Sequence, residues 1–284
     1  MAIESHVHYR TDNNLFLYHH KREVFHKNEE KENVNHAHLQ YEIIYLVEGE
    51  LSCIIEGKLY RLTKGDILLI RANDFHTINI VSNVYTRKVI QFFPAFIPLS
   101  EEQRNDLLRP YQVYNKNFDS VISSKIVSLY GLDKFFEKIE TAQTELSSAI
   151  YTMNLLLEIN NLLAFYKMQP NSTYTSSIIT DIIDYIDNHL TSKITLEDLQ
   201  EALHLSKFYI SHLFKEVMGT TLAHYIMEKK IRYAEKLIFE GVSPTDAAIT
   251  IGYNYSNFYI NYKKITHTIP STTKRGDVRF FNFY

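Results

Sequence analysis

Helix-start signals that recur in the C-terminal part of the chain constrain the fold most strongly. Thr195-Leu-Glu-Asp198 and Ser243-Pro-Thr-Asp246 both resemble capping boxes, in which a hydroxyl group accepts a hydrogen bond from a backbone amide of the first helical turn. Pro244 stands at the first helical position, where its missing N–H costs nothing. Ser206 is placed to cap a further helix. These signals predict that a short helix, a tight turn and a second helix occur twice.

Glycine and the spacing of apolar residues complete the helix prediction. Gly219 and Gly241 indicate left-handed helix ends, because glycine has no Cβ to clash in that conformation. The predicted helices cover residues 177–190, 195–203, 206–218, 221–240, 244–251 and 255–266, with a short one after Pro270. In a helix-turn-helix unit, which consists of two helices joined by a tight turn, the second helix typically enters the major groove of DNA.

The two predicted units share a sequence pattern. SKFYISHLFKEVMGTTL and SNFYINYKKITHTIP each place a large apolar residue four positions before an aromatic-lysine pair. Ile210 precedes Phe214-Lys215 in the first segment, and Phe258 precedes Tyr262-Lys263 in the second. The pattern indicates a duplicated helix-turn-helix.

Charge is distributed unevenly along this part of the chain. The formal net charge of the whole chain is -3, but residues 204–279 contain eleven bases and six acids, whereas residues 177–203 contain six acids and one base. Binding to phosphate requires a local excess of lysine and arginine. The distribution is compatible with DNA binding, and solvated helix faces are the alternative explanation.

In order and spacing, these segments resemble the AraC/XylS family of transcription regulators. The resemblance is carried by TLEDL, LSKFYISHLFKEVMG, KKIRYAEKLI, SPTDAAITIGY and YKKITHTIP, over about a hundred residues. It implies a DNA-reading helix over residues 206–218 and another over residues 255–266. The implied DNA-binding residues are Lys207, Phe208, Ser211, His212, Lys215, Ser256, Asn257, Tyr259, Ile260, Lys263 and Lys264. The implied core positions are Ile210, Leu213, Phe214, Val217, Phe258 and Tyr262.

Several positions depart from the family pattern. Gln200 and His204 replace a small residue and a turn glycine in the first motif. The second motif is one residue short between Gly252 and Phe258, and Ile260 stands where a polar or basic residue is common. We therefore expect base recognition by the first reading helix more than by the second. A solvated face without contacts is the alternative for Ser211 and His212.

The N-terminal part predicts a different architecture. Residues 42–93 form short apolar segments separated by turn signals at Glu48-Gly49, Gly57-Lys58 and Ala72-Asn73-Asp74, a spacing typical of an antiparallel sandwich or barrel.

His36-Ala-His38-Leu-Gln-Tyr-Glu42, followed later by Gly65-Asp66 and His76, resembles the cupin pattern. That resemblance implies three histidines and a glutamate inside a small barrel, a donor set that suits zinc, iron or manganese. Arg71 and Asn73 replace the usual turn proline and glycine, so we expect His76 to be poorly placed for a metal ion. The prediction is an effector pocket formed by His36, His38, Glu42, Arg71 and His76, with no metal and no cofactor.

Helical periodicity follows the barrel, and a polar segment at residues 169–176 is typical of a linker. Residues 151–168 have a broad apolar face, which core packing explains for the most part and which the family resemblance also implicates in pairing two subunits. The apolar residues of this face are Leu155, Leu156, Ile159, Leu162, Leu163 and Tyr166.

The predicted fold is α+β with two domains. Residues 1–100 form a cupin-like effector barrel, residues 101–169 a helical connector and possible dimerisation region, and residues 177–279 an all-α double helix-turn-helix. A polar N-terminus, the lack of a long apolar run and a single cysteine, Cys53, favour a cytoplasmic protein without a membrane partner.

The predicted function is sequence-specific, effector-responsive regulation of transcription, without enzymatic activity. Expected partners are operator double-stranded DNA, a small-molecule effector, a second copy of the chain and RNA polymerase. The alternatives are a cupin-type metalloprotein and a regulator controlled by a protein partner.

Overall fold

A computed structural model describes residues 2–11, 15–25, 36–112, 120–165, 173–174 and 177–272. The strands among these residues form two antiparallel sheets, one of six strands in the order β1-β2-β8-β3-β6-β9 and one of four in the order β10-β5-β4-β7. The strands are β1 (Ala2–Arg10), β2 (Phe16–Val24), β3 (Tyr41–Glu48), β4 (Glu50–Ile55), β5 (Lys58–Thr63), β6 (Ile67–Ile70), β7 (His76–Ile80), β8 (Val84–Phe92), β9 (Val121–Ile122) and β10 (Thr173–Tyr174). The predicted two-domain α+β fold with an N-terminal barrel is confirmed.

The six-stranded sheet separates two apolar cores because side chains alternate across a strand. Ile44 and Leu46 of β3 pack inward against β4 and β5, whereas Ile43 faces outward. The outward core is covered by helices α1 (Glu101–Gln112), α2 (Ser124–Tyr130), α3 (Asp133–Glu140) and α4 (Glu145–Phe165). The helices that follow the barrel therefore pack directly on it.

The apolar face predicted on residues 151–168 belongs to this outward core. Leu155, Leu156, Ile159 and Leu162 are all buried against the sheet and its neighbouring helices. The side chain of Leu163, and residues 166–168, lie outside the described part of the chain. The four described leucine and isoleucine side chains are thus not available to pair two subunits.

Strands β1 and β2 were not predicted. In β2, Lys21 and Glu23 face the barrel interior and are buried, with the Lys21 Nζ 2.8 Å from Glu23 Oε1. Arg87 of β8 also donates to Glu23, at 2.6 Å. These buried ion pairs break the apolar alternation by which a strand is normally identified. Strand β10, which pairs with β5, likewise lies inside the segment interpreted as a linker, whose remaining residues are not described.

The C-terminal region is helical throughout its described residues. The helices are α5 (Ser177–Asn188), α6 (Leu196–Leu203), α7 (Lys207–Met218), α8 (Leu222–Phe239), α9 (Pro244–Thr250) and α10 (Tyr255–Thr266), followed by a 3₁₀ turn at Pro270–Thr272. Each predicted helix is present, with ends that agree to within two residues. No helix of the described residues is long and apolar enough to cross a membrane.

The predicted helix caps are confirmed. Thr195 and Asp198 form a reciprocal capping box at the start of α6. The hydroxyls of Ser206 and Ser243 accept hydrogen bonds from Tyr209 N and Asp246 N. Gly219 ends α7 in the left-handed conformation.

The two helix-turn-helix units are equal in length. The caps Thr195 and Ser243 are 48 residues apart, as are Ser206 and Asn254, and so are the left-handed residues His204 and Gly252. The second unit is therefore no shorter than the first, and its expected shortness relative to the family pattern stays a prediction. His204 adopts φ 55° where the second unit has glycine, and histidine is among the residues that tolerate this region.

Candidate DNA interface and barrel site

The two reading helices are anchored by large apolar side chains on their inner faces. Ile210 and Phe214 of α7 are fully buried, as are Phe258 and Tyr262 of α10. Leu213 and Val217 are half-buried against the core of the first unit. The predicted inward positions therefore lie where the helical period requires, and this fixes which faces remain outward.

The predicted DNA-binding residues lie on the outward faces. Phe208 is 80% exposed and Ile260 is 63% exposed. The other exposed positions are His212, Lys215, Ser256, Asn257, Tyr259, Lys263 and Lys264, whereas Lys207 and Ser211 are half-buried. The Lys207 ammonium contacts Glu197 of α6, so it is held toward the first helix of its own unit.

Several basic residues that contribute to the positive balance of this region are not on its surface. Lys229, Lys230 and Arg232 of α8 are all buried. Arg232 Nη1 donates to Glu235 at 2.9 Å, and Arg232 Nη2 approaches the carbonyl of Ile265 in α10 at 3.5 Å. The charge count therefore overstates the positive surface available to phosphate, which rests on exposed lysines such as Lys215, Lys263 and Lys264.

Lys230 joins the two helix-turn-helix units. Its ammonium donates to the carbonyls of Leu190 and Ser192, which follow α5, at 2.9 and 2.6 Å. It also donates to the carbonyl of Ile251 at the end of α9, at 2.8 Å. An ammonium has three donor hydrogens. All three are used to hold loops of both units against the helix that separates the two reading helices.

The barrel contains a buried cluster of three histidines and one glutamate. The nearest ring nitrogens of His36, His38 and His76 all lie within 4.8 Å of one another. Glu42 Oε2 lies 3.0 Å from His38 Nε2 and 3.7 Å from His76 Nε2. Burial alone would raise the pKa of Glu42, but the hydrogen bond from His38 and the neighbouring imidazoles lower it to about 2. Burial and His38 lower the pKa of His76 to about 4.

Backbone carbonyls orient two of these rings. The Nδ1 atoms of His38 and His76 contact the carbonyls of Gln40 and Asp74 at 3.0 and 2.9 Å. Carbonyl oxygens only accept, so both Nδ1 atoms carry hydrogen and the Nε2 atoms face the cluster. The Nε2 hydrogen that His38 donates to Glu42 would have to leave before that nitrogen could hold a metal ion. This is the arrangement by which outer groups orient histidine ligands of a metal ion. The donor set fits a divalent transition metal.

The altered turn does not displace His76. Asn73 adopts φ 65° and its amide donates to the carbonyl of His38 at 2.7 Å, so the turn is tied to the segment that carries the other histidines. The expectation that losing the usual proline and glycine would misplace His76 is wrong, because asparagine also tolerates the left-handed conformation. The prediction that no metal binds stays a prediction.

Arg71 lies apart from the cluster. Its Nε donates to Asp74 Oδ2 at 2.7 Å, and the residue lines a cleft of about 750 Å³ between the barrel and the helical domain. Asp187, Lys229 and Tyr233 line the opposite side of this cleft. We expected Arg71 in the same pocket as the histidines, but its side chain faces the domain interface instead.

The segments that carry the histidines also form the wall between the domains. His36 and His76 pair through their backbones, with N–O distances of 3.1 and 2.9 Å. Ala37 lies between His36 and His38, and Phe75 precedes His76. The side chains of Ala37 and Phe75 point away from the cluster, into the apolar core of the first helix-turn-helix unit. The Phe75 ring lies 4.8 Å from the ring of Tyr225 in α8. One layer of backbone therefore separates the cluster from the helical domain.

A buried carboxylate fastens this wall. Glu56, between β4 and β5, accepts hydrogen bonds from Phe75 N at 2.9 Å, Tyr225 Oη at 2.5 Å and Lys229 Nζ at 2.6 Å. Lys229 Nζ also lies 3.2 Å from Asp187. Burial would lower the pKa of Lys229, but Glu56 and Asp187 raise it above its ordinary value. Sequence inspection missed this group, because its members are distant in sequence and Lys229 looks like an ordinary helix-surface lysine.

Comparison with known proteins gives matches over both parts of the chain. A family model described as a helix-turn-helix domain matches residues 199–276, and one described as a cupin domain matches residues 22–87. The uncharacterized HTH-type transcriptional regulator YbfI of Bacillus subtilis is 22% identical over 228 residues, which cover 78% of this chain and 78% of that protein.

Two further matches are partial or remote. The bifunctional transcriptional activator/DNA repair enzyme AdaA of Bacillus subtilis is 35% identical over 92 residues, which span 32% of this chain and 44% of that protein. The structure of unsaturated fatty acid bound ToxT from Vibrio cholerae overlaps 93% of this chain and 96% of its own, at 14% identity and a TM-score of 0.37.

Proposed function

Because the chain belongs to the AraC family of helix-turn-helix transcription regulators and carries a cupin domain, we propose that it recognises an operator through α7 and α10 and responds to an effector in its barrel. The observation that carries the proposal is the repeat of two equally long, equally capped helices whose outward faces are exposed. Such helices present their N-terminal residues to base edges in the major groove.

The spacing of the two helices supports binding to one face of DNA. Helix α8 between them has 18 residues and is roughly 27 Å long, close to the roughly 34 Å of one DNA turn. Ser211 and His212 of α7, with Asn257 of α10, contact bases in this proposal. Lys215, Lys263 and Lys264 contact phosphates.

Substitutions on the two kinds of contact should differ in their effect. We expect His212→Ala to weaken binding to the operator by about 1 to 3 kcal/mol while leaving binding to scrambled duplex unchanged. Lys263→Ala should weaken binding to both duplexes. It should also reduce the magnitude of the slope of log K against log salt concentration by about one. Fluorescence anisotropy over a range of salt concentrations measures both effects. An equal loss on operator and scrambled duplex in His212→Ala would contradict the assigned role of this side chain.

The wall between cluster and helices supports a response to effector. A molecule bound by His36, His38, Glu42 and His76 would contact side chains on the same backbone segments as Ala37 and Phe75. Those two residues pack in the core of the first helix-turn-helix unit, so a shift of either segment would reach that unit. Only a ligand with different affinities for two arrangements of the domains can shift their equilibrium. In this proposal the hydrogen bonds that Glu56 accepts at the boundary between the domains form in only one of those two arrangements.

A second candidate is a regulator whose effector is a divalent metal ion, and the convergence of the histidine and glutamate donors favours it. Elemental analysis of protein purified without chelator distinguishes the two. One equivalent of zinc, iron or manganese that disappears in both His36→Ala and His76→Ala supports the metal. Well under one equivalent supports an organic effector. The protein-partner alternative requires that neither kind of ligand raises the melting temperature.

The proposal includes a homodimer, now assigned to another face of α4. Leu146, Ile150 and Leu157 are exposed and recur at steps of four and seven residues, the spacing of a helix-pairing seam. We expect Ile150→Glu to convert a dimer to a monomer in sedimentation equilibrium, because a charge would be buried in the seam. Val81→Glu, at an exposed apolar residue of the barrel, is the control. A wild-type chain that is monomeric at micromolar concentration would rule out this dimer.

A further inference from the structure

The reading faces of α7 and α10 each present a large apolar side chain to solvent among their polar residues. Their most exposed large apolar side chains are Phe208 and Ile260, and neither helix contains arginine or glutamine. We infer that the operator is recognised largely through the C5-methyl groups of thymine, one packed against Phe208 and another against Ile260. This inference rests on the proposed function and adds to it the chemical class of DNA that the chain prefers.

The chemistry of the major groove supports this assignment. Guanine is read most often by arginine or lysine, which donate to its O6 and N7, whereas the apolar group on a base edge is the thymine methyl. Lys207 is held by Glu197, and Lys263 and Lys264 lie in the last turn of α10, the end that the proposed function assigns to phosphates. A site read without arginine forks is expected to be rich in A·T pairs.

The positions of the two side chains within their helices agree with base contact. Phe208 is the second residue of α7, whose amino end is capped by Ser206. Ile260 is one turn and a half into α10, on the same face as the exposed Ser256 and Lys263. Asn257, also exposed on α10, has a carboxamide that pairs with adenine N6 and N7. Adenine and thymine recognition would thus adjoin each other in the second unit.

DNA is favoured over a protein as the occupant of these faces because of the surrounding charge. Lys215 is exposed near the end of α7, and Lys263 and Lys264 near the end of α10, as required for flanking phosphates. Ile249 of α9 is also exposed, at 67%, but it lies on the first helix of the unit and outside the reading helix. It resembles Ile260 in type and exposure, and so offers a matched control.

The test uses the full chain and a duplex selected from a random-sequence library. Single thymines of the selected duplex are replaced by deoxyuridine, which removes only the methyl group. Deoxyuridine at one position in each half of the site should weaken binding about fourfold. This factor corresponds to the free energy gained by burying one methyl group. Phe208→Ala and Ile260→Ala should each abolish the effect of deoxyuridine at one of these positions, whereas Ile249→Ala should leave both effects intact.

The other outcomes would overturn the inference. Binding that is unchanged by deoxyuridine at every position would show that methyl groups are not read. The inference also fails if Ile249→Ala and Ile260→Ala change the response to deoxyuridine equally. It fails as well if Ile260→Ala leaves DNA binding unaltered, which is the result expected if this surface docks a protein. The side chains are exposed, so matching melting temperatures verify that the variants fold. Enrichment of no sequence at all from the library would instead remove the proposed function, and this inference with it.

Discussion

Lys230→Met is expected to lower the free energy of unfolding by about 3 kcal/mol. The substitution keeps most of the aliphatic stem but removes an ammonium that donates to three carbonyls, those of Leu190, Ser192 and Ile251. The buried carbonyl of Ile251 costs about 1 to 3 kcal/mol when it has no donor, and the part-buried carbonyls of Leu190 and Ser192 cost less because water can reach them. Part of the total is offset because the lysine no longer has to be desolvated. Urea denaturation measures the change.

Lys236→Met is the control for this variant. Lys236 lies on the same helix, but its side chain is 53% exposed and its ion pair with Glu240 spans 3.8 Å. Exposed pairs of this kind contribute between about 0 and 1 kcal/mol. If the two variants lose equal stability, Lys230 does not fasten the two helix-turn-helix units together.

Lys229→Met should have an effect of similar size at the boundary between barrel and helices. It leaves the buried carboxylate of Glu56 and the half-buried carboxylate of Asp187 without the ammonium of Lys229. Removing one partner of a buried pair such as Lys229–Glu56 typically costs about 3 to 5 kcal/mol. Hydrogen exchange should become faster at the amide of Phe75, which donates to Glu56.

A double-mutant cycle separates the ion pair from simple loss of packing. Glu56→Gln combined with Lys229→Met should be less destabilising than the sum of the two single variants, because neither charge is then left alone. Strict additivity of the two changes would indicate that the carboxylate and the ammonium do not interact as their 2.6 Å separation implies.

The helices of the DNA-binding part were predictable because their signals are local. Thr195, Ser206 and Ser243 cap helices through hydrogen bonds that span three residues, and Gly219 ends one through its own conformation. The apolar period then fixed the inward positions Ile210 and Phe258. None of these features depends on distant parts of the chain.

The features that were missed depend on contacts between distant segments. Lys229 and Lys230 look like surface charges in sequence, yet their partners are supplied by a barrel turn and by loops of both helical units. Strand β2 was hidden by Lys21 and Glu23, which are tolerated inside the barrel because they pair with each other, and Glu23 also with Arg87. Charge patterns in a sequence cannot distinguish solvation from such pairing.

The barrel site was half predictable. The residues His36, His38, Glu42 and His76 do meet, as the spacing indicated, but Arg71 turns toward the domain cleft because Asp74 holds it there. The sequence pattern of the histidine cluster also does not indicate which residues pack on the opposite side of its backbone. That Ala37 and Phe75 enter the core of the helical domain became evident only from the fold.

Footprinting of the full chain on a selected duplex tests whether the repeated helices α7 and α10 read DNA together. One subunit should protect two major-groove segments about one turn, roughly 34 Å, apart on the same face of the duplex. Phe258→Ala, which removes a fully buried side chain behind α10, should abolish protection of one segment while the other remains. A single protected segment per subunit, or equal protection of scrambled duplex, would contradict the proposal that both helices recognise the operator.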